Sequence, residues 1–521
     1  MDENILLKMK GHVLHITLNS ADGRNEVDDA MMRALTEAIS DPPESTAAIV
    51  LSGAGENFCA GRAASPLPAL SQTEDPRPAI KERGAAPILA LYEAIRSSVV
   101  PVACFVTGLA SGLGCALVAA SDYAVADARS QFEANELEKQ FAPALLMSAL
   151  FERIQVKAIS RLVLTAEPVD ATTALAFGLV GEVVAPWELH RALDDFIAFM
   201  NSRAPQALRG IKTFLRDSHG LHSPKLAALA ADVVAESLAP RLEPTAPLAP
   251  SHDKRFLTVG GERIAYLDIG KGPAVVLLHS LGTSSALWDD ILPALTAKHR
   301  VIAIDARGHG DSTKHSAWNA DAVANDVVAV ADAAGLGRFG LVGISMGGLT
   351  AVRVAAKLRQ RVAAMVLSSA YAGVSGPAVE KRLAATEGTL KKLPMHLFAR
   401  MYVEQTLHRN TAYATREKLA QQIATMSPKD YLETLRAICT DDVSGILRDV
   451  EVPTLVLNAE LDGSVPKAVS AKLTRGIQDA VEQTLPGAAH LACVDIPDAY
   501  AEVLLDRFEK YTDEDGAVWK S

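Results

Sequence analysis

Cysteine is scarce in this sequence: five in 521 residues, at positions 59, 104, 115, 439 and 493, with no Cys-x-x-Cys pair. Five widely spaced cysteines exclude a disulfide framework and a thiolate zinc cluster, and they fit buried free thiols in a reducing cytoplasm. The opening MDENILLKMKGH lacks the apolar stretch of a secretion signal. Positive charge is also short, with 51 Lys and Arg against 62 Asp and Glu and a formal net charge of −11. That balance argues against nonspecific nucleic-acid binding, which needs a basic footprint. One uncharged run, Pro101 to Ala120, is long enough to cross a bilayer, which takes roughly 20 apolar residues. Gly108, Ser111, Gly112 and Gly114 interrupt it, so it reads as a buried strand running into a packed helix. There is no metal-ligand cluster and no Walker-type phosphate loop, so neither a metal nor a separate cofactor is expected.

What is there is an ordinary globular composition, 49% hydrophobic and 22% charged. The chain is too long for one core, which points to several domains. Residues 236–252, ESLAPRLEPTAPLAPSH, are dense in Pro and Ala without an apolar period, which is linker chemistry. The expected division is an N-terminal domain at 1–245, the end of the linker at 246–254 and a C-terminal domain at 255–511. A helical stretch at about 189–236 closes the first domain. The second opens on two alternating runs joined at Gly260-Gly261, a hairpin signal. Strands alternate with helices in both parts, and the last ten residues read as a polar, frayed tail.

The C-terminal part carries a nucleophile with its partners. GLVGISMGGLTAV (340–352) is an apolar strand, a Gly-x-Ser-x-Gly turn and a helix. Such a turn strains the serine backbone and lifts the Ser345 hydroxyl clear of the sheet, with Gly343 and Gly347 letting strand and helix pass closely. The strand VVLLH ends at His279. A backbone N–H of the loop after it, that of Leu281, would form an oxyanion hole with the N–H of Met346. Asp462 ends the strand in TLVLNAELDGSVP, and His490 follows another strand in LPGAAHLACVD. Serine, acid, then histidine is the order in which an α/β-hydrolase sheet presents its triad. The histidine takes the serine proton and the carboxylate fixes the histidine tautomer. His309 and Asp311, in DARGHGDS, read as structural loop residues.

These motifs make residues 255–511 resemble the α/β-hydrolases, most closely the 3-oxoadipate enol-lactonase branch. HSLGTSSALWD, RVIAIDARGHGDS, GISMGGLTAV and the closing AAHL carry the match. The resemblance implies attack on an ester, lactone or thioester carbonyl. The departures fall at about 371–440, the helical cap that shapes the substrate pocket, so reaction type carries over better than substrate.

In the N-terminal part, VLHITLNSADGRNEVDDAMMRALTEAI reads as a strand, a polar turn and an amphipathic helix from about Asp28. Two further strands, AAIVLSGAG and PVACFVTG, each run into small residues. Backbone N–H groups brought close to one ligand carbonyl and tight helix packing are both compatible with that pattern. FCAGR (58–62), GLASGLGCA (108–116), SQFEANE (130–136) and RLVLTAEPVDATTALAFGLVGEVV (161–184) together resemble the crotonase (enoyl-CoA hydratase/isomerase) superfamily over about 5–235. The resemblance implies a ββα spiral, an acyl-CoA substrate with coenzyme A as part of the thioester, and oxyanion-hole N–H groups on Arg62 and Leu113. SRAPQALRGIKTFL (202–215) resembles the trimerisation tail, implying a trimer or hexamer. Of the two glutamates that the family's hydratases use, one falls on Glu136 and the other on Ala116. One carboxylate suffices to move a proton between carbons, whereas adding water usually takes the pair. Glu133 or Glu138 could replace the second only if its loop aimed it inward. The Arg62 side chain, at a small apolar family position, is expected to meet a polar acyl group or a CoA phosphate.

The reading of the whole is a cytoplasmic, bifunctional enzyme of α/β class. Its first domain shifts or creates a double bond in an acyl-CoA, and its second, a serine hydrolase, opens a lactone or releases the acid. Two alternatives stand beside it: a hydrolase carried on a catalytically silent oligomerisation scaffold, and a hydrolase that cleaves a C–C bond in a diketone. Small-molecule substrates, not nucleic acid or membrane, are the expected partners.

Overall fold

The computed structural model describes all residues except 1–3, 64–74, 152, 244–251, 315–317, 375, 513–518 and 521. Contacts divide the chain into two units, Met1–Arg241 and Leu242–Ser521.

The first unit is built on a six-stranded sheet with a small three-stranded one. Its strands are β1 (Ile5–Lys10), β2 (Val13–Leu18), β3 (Ala48–Gly53), β4 (Val102–Val106), β5 (Leu109–Ser111), β6 (Tyr123–Asp127), β7 (Gln131–Glu133), β8 (Val169–Asp170) and β9 (Glu182–Val184). The large sheet runs β1-β2-β3-β4-β6-β9, with every pairing parallel except β1 to β2. The small sheet runs β5-β7-β8. Strand β4, VACFV, is buried along its whole length, as a central parallel strand covered on both faces must be. The uncharged run at 101–120 thus becomes β4, β5 and the helix Leu113–Ala120, whose residues are all buried. Among the described residues no helix is long and apolar enough to cross a membrane. The helix Asp29–Ser40 starts where its sequence signals it, with the Asp28 carboxylate accepting the Met31 N–H at 2.8 Å.

Three helices close this unit: Leu189–Asn201, Pro205–Asp217 and Ser223–Leu242. The second is tied to the core by Lys212. Its buried ammonium donates to both Asp122 oxygens (2.9 and 2.8 Å) and to the Ile95 carbonyl (2.8 Å). The third runs into the stretch read from composition as linker. Residues 236–242 are helical because Leu, Ala and Glu sustain a helix, and Pro240 falls only in its last turn, where it removes one hydrogen bond. Positions 246–251 of the expected linker lie outside the described residues.

The second unit holds an eight-stranded sheet of β10 (Arg255–Val259), β11 (Glu262–Ile269), β12 (Ala274–Leu278), β13 (Arg300–Ile304), β14 (Phe339–Ile344), β15 (Val362–Ser368), β16 (Thr454–Ala459) and β17 (Ala480–Leu485). Its order is β10-β11-β13-β12-β14-β15-β16-β17, parallel from β13 onward. The β10–β11 hairpin turns on Gly260 and Gly261 at φ +58° and +89°, the left-handed pair that a two-residue turn requires. Between β15 and β16 stand four helices, Pro377–Leu390, Met395–Thr406, Tyr413–Ala424 and Pro428–Thr440. The chain end departs from the expected fraying at Trp519. The indole is buried, stacks on His299 and donates to the Ala274 carbonyl at 3.1 Å. One aromatic ring seated on apolar surface anchors a tail whose polar composition gave no sign of it.

Candidate active sites

In the second unit Ser345 stands between β14 and the helix Met346–Lys357, with φ +52° and ψ −112°. A non-glycine residue there is strained, and the surroundings hold it. The Ser345 N–H donates to the Ser368 carbonyl at 3.0 Å. A Cβ on Gly347 would collide with the Leu278 carbonyl, and one on Gly343 with the backbone of Gly347. Glycine at both positions is therefore a requirement of close backbone passage. The turn brings the Ser345 hydroxyl 3.0 Å from His490 Nε2. The other ring nitrogen, Nδ1, lies 2.9 and 3.1 Å from the two Asp462 oxygens. Asp462 Oδ1 also accepts the N–H groups of Ser464 and Val465, each at 2.8 Å. Burial alone would raise the Asp462 carboxyl, but the hydrogen bond and charge of His490 and the backbone donors outweigh it and hold it below its ordinary value. All three side chains are buried.

Leu281 lines the cavity above Ser345, and Met346 is the first residue of its helix, where the N–H finds no intrahelical acceptor. The cavity measures about 560 Å³, and the cap helices form much of its wall. His309 and Asp311 stay outside it. The His309 ring is fully buried against His279, and burial lowers its pKa to about 3. Asp311 pairs with Lys254. Both are structural, as the loop sequence suggested.

The first unit has its own cavity, of about 1050 Å³. Residues Cys59 and Ala110 pair as a parallel bridge, with Cys59 N–H to Leu109 O at 3.0 Å and Ser111 N–H to Cys59 O at 2.9 Å. Three residues on from each partner come Arg62 and Leu113, so both reach the same end of the turn and both line the cavity. The Leu113 N–H heads its helix without an intrahelical acceptor. The bonds Val27 N–H to Gly61 O and Ala63 N–H to Val27 O occupy one edge of the Arg62 strand, leaving its own N–H on the other. A Cβ on Gly114 would collide with the Cys59 carbonyl, so the helix can approach this closely only through glycine.

Glu136 enters the cavity beside this turn. One of its oxygens lies 3.0 Å from where a Gly112 Cβ would be, and the other is buried with no hydrogen-bond partner. Burial raises the Glu136 carboxyl above its ordinary value. Ala116 is buried in the helix, and neither Glu133 nor Glu138 lines the cavity. Asp29 and Glu82 also line the cavity, Asp29 paired with Arg62. The Arg62 side chain lines the cavity, where its guanidinium pairs with Asp29 and Nη1 is buried with no hydrogen-bond partner. Tyr92 was not legible as a site residue, since a tyrosine on an apolar helix face reads as core. It is buried, lines the cavity, and its hydroxyl is raised by burial, then by the charges of Cys115 and Glu136.

Comparison with known proteins agrees with this division. Residues 273–497 match the alpha/beta hydrolase fold family and residues 8–238 match the enoyl-CoA hydratase/isomerase family. RutD of Variovorax paradoxus, named as a candidate carbamate hydrolase, is 31% identical over 246 residues, 45% of this chain and 91% of that protein. 3-Oxoadipate enol-lactonase 1 of Acinetobacter baylyi is 26% identical over 233 residues, 44% of this chain and 86% of that protein. A solved enoyl-CoA hydratase of Mycobacterium smegmatis covers 46% of this chain and 91% of its own at 27% identity, with a TM-score of 0.42. The chain belongs to the alpha/beta hydrolase fold family through its C-terminal half, and it carries a crotonase-like N-terminal half.

Proposed function

We propose that the C-terminal half is a serine hydrolase acting on a carboxylic ester, lactone or thioester, with Ser345 as nucleophile. The continuous Ser345–His490–Asp462 hydrogen-bond chain at the floor of a cavity is the observation that carries this reading. In the first step the Ser345 oxygen attacks the carbonyl carbon while His490 Nε2 takes its proton. Asp462, accepting from Nδ1–H, holds the imidazole in the tautomer whose Nε2 is free to do so. The carbonyl oxygen becomes an oxyanion facing the N–H groups of Leu281 and Met346. His490 then protonates the departing oxygen or sulfur, leaving an acyl-serine, and water releases the acid by the same steps. Relatives named enol-lactonases support a lactone or ester as substrate. Turnover assays on activated esters, enol-lactones and acyl thioesters test this reading, and its failure would be an absence of hydrolysis across all three.

For the N-terminal half we infer proton transfer on an acyl-CoA. The N–H groups of Arg62 and Leu113 would polarise the thioester carbonyl, and Glu136 would carry a proton between carbons. Glu136 facing a position held by Ala116, where hydratases carry their second glutamate, supports double-bond isomerisation over hydration. The two halves in one chain would raise the local concentration of a shared acyl intermediate. Assembly as a trimer or hexamer is supported by the helix Ser223–Leu242, which buries none of its residues while exposing Val234, Leu238 and Leu242. Sedimentation of the full chain should give three or six copies, and a monomer at micromolar concentration would refute the assembly. Five buried free thiols support a cytoplasmic location.

A further inference from the structure

The N-terminal cavity carries more hydrogen-bond donors than proton transfer on a thioester uses. Ile80, Ile88, Leu113, Phe141, Leu145 and Leu146 give its wall an apolar character. In proton transfer on an acyl-CoA, the backbone N–H groups of Arg62 and Leu113 would serve the thioester carbonyl and Glu136 the moving proton. Of the other polar side chains, Arg33, Arg83 and Lys139 are exposed, where water satisfies them. The Asn135 amide donates to Ser111 Oγ and to Glu133, at 2.8 and 3.3 Å. Among the described lining residues, two buried donor side chains stay unmatched.

The first is Arg62. Its guanidinium pairs with Asp29 through Nη2, while Nη1 is buried with no hydrogen-bond partner. The second is Tyr92, on the helix Ala86–Ser97. Tyr92 is 2% exposed, lines the cavity and makes no hydrogen bond among the described residues. Burial, then the charges of Cys115 and Glu136, raise its hydroxyl, which therefore keeps its proton and remains a donor. A buried donor without an acceptor is costly, so unmatched donors in a binding cavity mark where a ligand brings oxygen.

The place of that oxygen on the ligand follows from the chain. The Arg62 guanidinium belongs to the residue whose own N–H would face the thioester carbonyl, so it reaches only ligand atoms near that carbonyl. The CoA phosphates lie at the far end of the pantetheine arm, beyond one side chain anchored there. Charge disfavours a carboxylate, because Asp29 already neutralises this guanidinium and Glu136 adds a second acid to the same cavity. The neutral oxygen of an oxo or hydroxyl group suits both donors.

Resting on the acyl-CoA reading of this half, we infer that the N-terminal site selects thioesters whose acyl chain carries an oxo or hydroxyl oxygen, accepting from Arg62 Nη1–H and Tyr92 O–H. Both side chains are thereby specificity-determining. A hydrocarbon chain of the same length would bury both donors unpaired. A site built to bond a substrate oxygen rejects the analogue that lacks it.

Calorimetry on the full-length Ser345→Ala protein, which on the serine reading does not consume thioesters, tests this without turnover. 5-Oxohexanoyl-CoA is compared with hexanoyl-CoA, and 6-oxoheptanoyl-CoA with heptanoyl-CoA, so each pair shares its chain length and its CoA arm. In both oxo chains the second carbonyl is too far from the α-carbon to acidify its protons, so enolate formation favours neither member. At least one oxo thioester should bind roughly 5–150-fold more tightly than its plain counterpart, the range set by a buried donor gaining an acceptor. Arg62→Met, which keeps the backbone N–H, should bring that ratio to about one, and Tyr92→Phe should lower it. Equal weakening of all these thioesters by Arg62→Met would place Nη1 on the shared CoA arm and overturn the inference. So would a ratio near one in both pairs, or a ratio left unchanged by either variant. If Arg62→Met does not fold, the Tyr92→Phe ratio decides by the same criterion. No binding of any of the thioesters would instead defeat the acyl-CoA reading on which the inference rests.

Discussion

Replacing Ser345 with alanine should abolish ester or lactone hydrolysis, by on the order of a millionfold in turnover, while leaving the fold intact. Loss of a triad nucleophile has about that cost because the remaining groups cannot form an acyl intermediate. The alanine removes one oxygen from a buried position, and the Gly343–Gly347 turn keeps its backbone, so thermal unfolding should change little. The Ser345→Ala protein should also retain whatever the N-terminal half does, since the two cavities are built from separate sets of residues. Retention of more than a few per cent of hydrolysis, measured with enzyme made free of host esterases, would refute the assignment of Ser345.

Glu136→Gln should abolish exchange of an acyl-CoA α-proton with deuterated water, by on the order of 10²–10⁴-fold, the usual contribution of a positioned acid–base group. Glutamine keeps the shape and removes the proton acceptor. The pH dependence has a definite sign. Burial raises the Glu136 carboxyl above its ordinary value, and a base works only when deprotonated. Exchange should therefore grow as pH rises through that raised value and fade below it. A hydratase would instead accumulate β-hydroxyacyl-CoA. Rapid formation of that product would contradict proton transfer by Glu136 alone. Neither exchange nor hydration with any acyl-CoA would favour the silent-scaffold alternative.

Much of the C-terminal site was legible because α/β-hydrolase chemistry sits at strand ends. Ser345 and Asp462 each follow an apolar, buried strand, His490 follows a strand of mixed polarity, and the turn glycines mark where backbones must touch. The structure brings those three residues together. The cap was not legible: Arg382 and Tyr431 come to one wall from separate helices, and no local pattern encodes which helix face will meet the nucleophile. In the N-terminal half, Arg62, Leu113 and Glu136 were found through family motifs. Spacing along the chain alone would not have joined Cys59 to Ala110, the bridge that brings the turns carrying Arg62 and Leu113 side by side. The pairing of Arg62 with Asp29 joins positions 33 apart, which no local pattern encodes. Lys212 and Asp122 form a buried pair across 90 positions, and each alone reads as an ordinary surface charge. The end of the helix Ser223–Leu242 was misplaced because proline density outweighed the helix-forming Leu and Ala around it.

Nucleophilic catalysis by Ser345 requires a covalent bond to that one serine. Treatment of the full-length protein with a fluorophosphonate, followed by peptide mass mapping, measures it directly. The expected result is a single phosphonyl group on the peptide holding Ser345, no hydrolysis after labelling, and no label on Ser345→Ala. Label on another residue with hydrolysis lost, or full hydrolysis by protein labelled at Ser345, would contradict it.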